Sequence, residues 1–429
     1  MRASRRPSIT SFGVLLALVA VAAFAIRVVY LQTVAHHVQL GYDAVWYTFV
    51  ADPLAHGKGV IDPAAYFQQG REIVTASHAP LYSVFLAGVI RLFNGDLATL
   101  RMAGALAGTS TVVLTGFIGR RIGGPAVGVV AAGLVAVFPS LIAVDGALMS
   151  ETVAIPLLLG AVWAALVAGE RMVWWRYTLV GVLLGLTILA RADAVIVAVC
   201  VIVAMAMTAV KRWSRRLAAA GIAIVGATVV VMPWVVRNQT DLGRAVVATT
   251  STSRTIAGAN CESAYHGSLA GNWDAACAAD KFGIGAEMAN YDDQMSRGLD
   301  YARGHLTQLP AVVVLRELRE FGLYAPRQQA RLEAIETRSY HWQLFAWAAW
   351  LPAMILGIAG FVVMFRRRVP GVWTLFAVVV SVVLVAALSH GNQRFRTACE
   401  PVVLVAAAYA LVAAWSAVRA RRAVAHAGT

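Results

Sequence analysis

Asp43 is the residue of this chain best placed to do chemistry. It stands just beyond the first long apolar run, in Gly41-Tyr-Asp-Ala-Val-Trp-Tyr47. A carboxylate among aromatic side chains can take a proton from a hydroxyl, and the helix expected to follow from Ala44 would use Asp43 as its N-cap and help to keep it ionised. Further charged groups follow at His78, Asp145, Glu151, Arg191, Asp193 and in the run His390 to Glu400, which holds Arg394 and Arg396. Each has a plainer reading. Asp43 is then only a cap, the arginines are headgroup anchors, and Arg191 makes a structural salt bridge with Glu151 or Asp193. Asp145 reads as an ordinary interfacial residue and His390 as a histidine at a membrane edge.

The elements that must position these groups are long apolar runs. Hydrophobic residues make up 59% of the chain and charged ones 14%, and the mean hydropathy is +0.70, far from a soluble globular composition. Runs such as Phe12–Val29, Val195–Val210 and Val372–Leu388 reach or approach the length that crosses a ~30 Å hydrocarbon layer at ~1.5 Å per residue. A span must satisfy its own backbone hydrogen bonds, so these runs are helices. The first is too long for a cleaved leader and is expected to stay as a span.

The net charge of +14 falls in short clusters beside the runs: Arg2 to Arg6, Arg120–Arg121, Arg171 to Arg176, Lys211 to Arg216, Arg366 to Arg368 and Arg419 to Arg422. Such clusters mark cytoplasmic ends, which accounts for the charge without nucleic acid. The groups with chemistry then fall on the external side.

Spans are expected near 10–31, 98–119, 125–143, 148–168, 175–191, 193–210, 216–236, 343–364, 371–389 and 400–418, with both ends cytoplasmic. The stretch 79–93 decides this count. As a crossing it would put Arg120–Arg121 outside and the long polar loop inside, so it is expected to be re-entrant or interfacial. Ala44–Ala55 reads as a short interfacial helix with Val45, Trp46 and Phe49 toward lipid. The expected fold is an all-α polytopic membrane protein, a bundle of about ten transmembrane helices with external interfacial helices and one larger external loop. Three parts follow: 1–237 with the external segment 32–78, the loop 238–340, and 341–429.

The loop 238–340 is the one soluble-looking stretch. It carries Cys261 and Cys277, which outside the cytoplasm are expected to oxidise. Closing a loop of about 15 residues in this way stabilises by about 3 kcal/mol; two free thiols are the alternative. Cys200 and Cys399 read as packing residues. No Cys/His spacing resembles a zinc site.

The order of the external residues resembles the GT-C superfamily of membrane glycosyltransferases, in the branch of the bacterial relatives of protein O-mannosyltransferases and the lipid A aminoarabinose transferase (glycosyltransferase family 39-like). The resemblance rests on Asp43 and Tyr47 in a D-x-x-x-Y segment, on His78-Ala-Pro-Leu-Tyr82 where the family has (H/K)-P-P-L, and on Ser150-Glu151 at a span start. It continues with Gly185-Leu-Thr-Ile-Leu-Ala-Arg191-Ala-Asp193 and Arg394-Phe-Arg396-x-x-x-Glu400-Pro401. Two family prolines are replaced, by Ala79 and Ala192. The match runs from residue 10 to about 418.

That resemblance implies a GT-C-type bundle in the plasma membrane, with its active site on the external face. The donor it implies is a polyprenyl-phosphate sugar, and the acceptor is a hydroxyl on an envelope glycan, lipid or protein. As the glycosidic bond breaks, the anomeric carbon gains oxocarbenium character and charge grows on the departing phosphate. Asp43 would be the base. Arg191, Arg394 and Arg396 would hold the phosphate bidentately, with His78 as a further donor. Glu151 and Asp193 would orient an arginine or meet a sugar hydroxyl, beside Tyr47 and Tyr82. The family needs no organic cofactor; some relatives use a divalent cation, and no acidic cluster in this sequence demands one.

Two other classes compete. A transporter or lipid-sugar flippase places ionisable groups near the membrane midplane, whereas here the span centres are nearly free of charge. An inactive envelope-assembly scaffold has no need of Asp43 or the arginines. For the loop, the sequence predicts that Cys261 and Cys277 resist a thiol-reactive label until a reductant is added; immediate labelling would mean that no disulfide forms.

Overall fold

The computed structural model describes residues 9–169, 173–209 and 212–427. Arg2 to Arg6, Arg171 and Lys211 lie outside the described residues. The bundle begins with α1 (Ile9–Thr33), α2 (Tyr42–Ala55), α3 (Pro63–Gln69), α4 (Pro80–Leu92), α5 (Leu97–Gly123) and α6 (Pro125–Ala136). It continues through α7 (Pro139–Gly146), α8 (Glu151–Ala168), α9 (Trp174–Ala190), α10 (Ala194–Ala209) and α11 (Trp213–Leu242). A polar insert holds α12 (Thr252–Ala259), α13 (Glu262–Tyr265), α14 (Glu287–Gly304), α15 (Leu309–Glu320) and α16 (Pro326–Ile335). The chain then returns to the bundle with α17 (Tyr340–Arg366), α18 (Val372–Leu388), α19 (Gln393–Arg396) and α20 (Glu400–Ala427).

The protein is an all-α, multi-pass membrane protein. Among the described residues, six helices are long and apolar enough to cross a membrane: α1, α5, α8, α11, α17 and α20. The α6–α7 pair has the length and composition of a seventh if it is one span, bent by 56° where Pro139, which lacks an N–H, cannot continue the helix. Helices α4, α9, α10 and α18 are apolar but shorter.

Lipid supplies little hydrophobic drive for helix association, so small residues and close backbone contact do the packing. At the α9–α11 contact, a Cβ on Gly181 would lie 2.0 Å from the Ala223 carbonyl oxygen. Only glycine allows that approach.

The bundle has two chemically different ends. Arg120–Arg121, Arg366 to Arg368 and Arg419 to Arg422 close α5, α17 and α20 at one end. Glu151, Arg191, Asp193, Arg394 and Glu400 lie at the other, where α8 and α20 begin and α9 meets α10. Helix α4 starts beside His78 and ends five residues before α5. The first turns of α5 carry Arg101 onto the carbonyls of Val38 and Gly146 at that same end. Both ends of α4 therefore lie on the site side.

Asp145 departs from its expected place at the interface. It is buried in the bundle and accepts from Arg27 Nε at 2.6 Å, the two side chains being 5% and 1% exposed. Arg27 also donates to the carbonyls of Ala23 and Ala136. The reason is spatial. The α6–α7 bend turns Asp145 inward over Gly108, where any Cβ would overlap its carboxylate.

The insert docks on the bundle through polar contacts. Glu287 accepts from Ala76 N at 3.0 Å, Arg316 donates to the Ala387 carbonyl at 2.9 Å, and Trp350 Nε1 donates to the Phe321 carbonyl at 3.0 Å. Within it Cys261 and Cys277 are joined by a disulfide, their Cα atoms 6.4 Å apart.

Breaking a buried ion pair strands a charge, which costs more than the intact pair gains. Arg27→Ala is expected to destabilise the protein by about 3–5 kcal/mol, and adding Asp145→Asn to recover much of that loss. Thermal unfolding in detergent checks this; equal melting of the wild type and Arg27→Ala would contradict it.

Candidate active site

Five stretches of chain, distant in sequence, meet at the polar end of the bundle, and the α16–α17 connection joins them as a sixth with Glu336 and Arg338. Helix α2 supplies Asp43, and the α3–α4 connection supplies His78. Glu151 stands in the first turn of α8, where the helix N-terminus favours a carboxylate. Arg191 caps the C-terminus of α9 in extended conformation, and the two-residue break before α10 lets it fold back on Asp193, with contacts of 3.0 and 2.8 Å. Arg394 lies on the one-turn helix α19, whose Asn392 side chain accepts from Arg394 N.

Arg394 is the hub. Its Nε donates to Glu151 Oε1 at 2.8 Å, and its Nη1 donates to Asp43 Oδ2 at 3.2 Å and to Glu336. The same Glu151 oxygen receives Arg191 Nη1 at 2.7 Å and has Arg338 Nη2 at 3.9 Å. Arg338 is held in turn by Glu333. On its other oxygen, Asp43 meets His78 Nε2 at 3.3 Å. His78 packs on Trp46 with ring centroids 4.0 Å apart and edge-to-face on Tyr47, which in turn packs edge-to-face on Tyr82. The Asp43 side chain stays 34% exposed while Arg394 is 10% exposed: an open carboxylate on a buried guanidinium.

The charges set one another's ionisation. Burial opposes ionisation of Asp43, but the hydrogen bond from His78 and the charge of Arg394 outweigh it and hold the carboxyl well below its usual range. Burial likewise opposes the charge on Arg394, and Glu151, Glu336 and Asp43 hold its pKa well above the ordinary value. Glu336 goes the other way. Desolvation, with Asp43 and Glu151 nearby, pushes it up to about 7 despite Arg394.

The backbone carries strain here. Among the described residues, Tyr42, Leu148 and Thr337 are non-glycine residues at φ of 37°, 54° and 64°. Tyr42 and Thr337 adjoin Asp43 and Glu336, and Leu148 lies three residues before Glu151. Such conformations persist where the surrounding contacts over-determine them and cluster at functional sites. Gly41 N donates to Thr337 Oγ1 at 2.9 Å and ties two of these segments together. A hollow of about 520 Å³ opens alongside, its wall including His37, Gln39, Gly41, Ile335, Arg338 and Ser339.

Several expectations change. Asp43 is not the N-cap of α2, because the helix starts two residues earlier, at Tyr42, with Gly41 as cap, and its carboxylate turns to His78 and Arg394 instead. Trp46 packs on His78 rather than facing lipid. Tyr47 is buried against His78 and Tyr82 is buried against Tyr47, so neither presents an open surface to a ligand.

Arg396 leaves the cluster. Two residues apart on a helical turn, side chains point about 200° from each other. Arg396 therefore faces away from Arg394, donates to Glu400 at 2.9 Å and lies over Trp350. His390 is buried against Phe395. Glu333, Glu336 and Arg338 were not anticipated. The one signal for them was a run of charges just before a span.

Among the described residues, one group offers metal-type donors close together: Cys261, Asp274 and Cys277. Its two sulfurs are bonded to each other, so neither is a thiolate ligand. At the main cluster the three carboxylates Asp43, Glu151 and Glu336 converge on the guanidinium of Arg394. Their shared position is already filled by a cation, and the donor set does not fit a divalent ion there.

An apolar bundle with an ion-pair web at one end, an ionised carboxylate at its rim and a polar insert beside it defines a membrane protein equipped for interfacial chemistry. Comparison with known proteins agrees. Residues 77–236 match the family model described as dolichyl-phosphate-mannose-protein mannosyltransferase, a stretch shorter than half the chain. Among solved structures, the apo oligosaccharyltransferase of Archaeoglobus fulgidus is similar over 97% of this chain and 52% of its own, at a TM-score of 0.60 and 14% identity. The oligosaccharyltransferase AglB of the same organism, in complex with an inhibitory peptide and a dolichol-phosphate, is similar over 97% and 52%, at 0.56 and 14%. The chain spans about half the length of these relatives and shares their fold. No curated protein matches it in sequence. The resemblance to GT-C glycosyltransferases, read first from scattered motifs, is carried by both the family model and the fold.

A carboxyl whose folded pKa lies above its ordinary value contributes stability that is full below the ordinary range and is lost as pH rises through the folded value. Wild-type protein is therefore expected to melt at lower temperature as pH is raised from about 5 to about 8, and Glu336→Gln to flatten that slope. Parallel slopes in the two proteins would contradict the assignment.

Proposed function

We propose that this protein transfers a sugar from a polyprenyl-phosphate donor to an envelope acceptor hydroxyl, at the external face of the plasma membrane. The observation that carries this reading is Asp43: an accessible carboxylate, kept ionised by Arg394 and His78, at the polar end of a bundle that shares its fold with an oligosaccharyltransferase. That structure also supports the topology of about ten crossings, counting the shorter α9, α10 and α18 with the seven longer spans and leaving α4 interfacial. The described basic clusters then sit in the cytoplasm and the site outside. In this reading 1–237 forms the catalytic bundle, 238–340 covers the site and selects the acceptor, and 341–429 brings Arg394.

In the reaction, Asp43 takes the proton of the acceptor hydroxyl as its oxygen bonds to the anomeric carbon from the face opposite the phosphate. The carbon–oxygen bond to the phosphate breaks, and the electron pair leaves with the phosphate, inverting the centre. Arg394, supported by Arg191 through their shared Glu151, offers fixed donors where that negative charge grows. His78 orients Asp43, Trp46 and Tyr47 fix His78, and Tyr82 backs Tyr47. The chain supplies base and cations itself, so no step in this scheme passes through a metal or organic cofactor.

Transport is the weaker reading. The buried pair Arg27–Asp145 is closed on itself, and the accessible charges gather at one end. The test is transfer of radiolabelled sugar from polyprenyl-phosphate donors by purified protein with crude envelope acceptor. Asp43→Asn is expected to lower transfer by about 10²–10⁴-fold with melting and insertion unchanged. Full activity of that variant would sink the mechanism.

A further inference from the structure

The web around Arg394 is not charge-balanced. Three guanidinium groups, Arg191, Arg338 and Arg394, face five carboxylates, Asp43, Glu151, Asp193, Glu333 and Glu336. His78 adds at most one further positive charge, on Asp43. A phosphate entering such a site meets a surplus of negative charge, and buried like charges disfavour each other strongly. One carboxylate must therefore give way, and the contacts single out which.

Glu151 cannot leave: its side chain is 2% exposed and it bridges Arg191 and Arg394. Asp193 and Glu333 are committed to Arg191 and Arg338. Asp43 has two partners and carries the base. Glu336 is the remaining carboxylate on Arg394, without the role of the base and without the burial of Glu151. Among the described residues its ion pair is with Arg394 alone, and its side chain is 26% exposed. It caps the C-terminus of α16 in the short connection to α17, followed by Thr337 in the left-handed region. A β-branched residue at positive φ is held in a strained conformation.

We propose that Glu336 is a displaceable counter-ion, occupying the Nη1 position of Arg394 that the donor's phosphate takes on binding. This rests on the reading of Arg394 as the phosphate-holding cation. An anionic side chain keeps the guanidinium oriented while no donor is bound, and the incoming phosphate exchanges for it. Glu151 holds the Nε edge throughout, so Arg394 keeps its direction during the exchange. Glu336 is a positioning residue and tunes donor affinity; Asp43 keeps its own role.

The experiment measures equilibrium binding to the full chain in lipid nanodiscs at about pH 8, where Glu336 is ionised. Asp43, Glu151, Arg191, Arg338, Arg394 and His78 face it in every variant that retains them. The probe is a short-chain polyprenyl phosphate without sugar, with the matching polyprenol as control. Glu336→Gln is expected to tighten phosphate binding by about tenfold and to leave polyprenol unchanged. In the Arg394→Gln background the same substitution is expected to give no gain.

Unchanged or weaker binding by Glu336→Gln, with Arg394→Gln still weakening it, overturns the counter-ion and leaves the phosphate reading standing. Wild-type affinity in Arg394→Gln overturns both. Hydrogen exchange on the wild-type protein gives a measurement independent of folding of the variants. Amides 336–338 are expected to exchange faster when polyprenyl phosphate is added, and unchanged or slower exchange counts against displacement.

Discussion

A single guanidinium, that of Arg394, draws the functional end of this molecule together. Its partners lie 351, 243 and 58 residues away in the chain, at Asp43, Glu151 and Glu336. Through Glu151 it is coupled to Arg191 and Arg338. Charges this far out of water are tolerated only when paired and hydrogen-bonded, so each partner makes a demand on the others. Helix α2 must sit where Asp43 reaches α19, α8 must begin where Glu151 meets two arginines, and the α16–α17 connection must bring Glu336 and Arg338 inward. Strained backbone at Tyr42, Leu148 and Thr337 is what these demands leave behind.

The bundle makes such a web affordable. Small residues let the helices pack closely, as Gly181 does against Ala223, and give the site a rigid base at one end. Polar backbone contacts dock the insert, so its last helix delivers the Glu333–Arg338 segment to the cluster. Beneath the web, Arg27 and Asp145 form a second, self-contained ion pair. The exposed carboxylate therefore sits on an electrostatic scaffold of buried, paired charges, the condition under which a charged group is preorganised rather than solvated.

Much of this was legible in the residues. Apolar runs of spanning length predict the long helices, and the clustered arginines predict which helix ends belong together. Asp43, His78, Glu151, Arg191, Asp193 and Arg394 stand out in the sequence as charged groups beside the apolar runs, each open to a plainer reading, and they converge. The errors were of direction. Arg394 and Arg396 look equivalent in sequence, yet two steps along a helical turn send them to opposite sides. Asp43 resembles a cap, and Trp46 a lipid-facing aromatic, because a local pattern does not say which long-range partner competes for a side chain.

By itself the sequence determined the solvent of each segment and the inventory of charges, because hydropathy and charge are properties of the residues and act wherever the chain goes. Tertiary structure alone decided the pairing. Whether Asp145 meets Arg27 or the interface depends on a bend at Pro139. Glu336 and Arg338 join the site only because α16 packs against α17. Coulomb energy depends on distance, and distances between residues hundreds of positions apart exist only once the helices have packed.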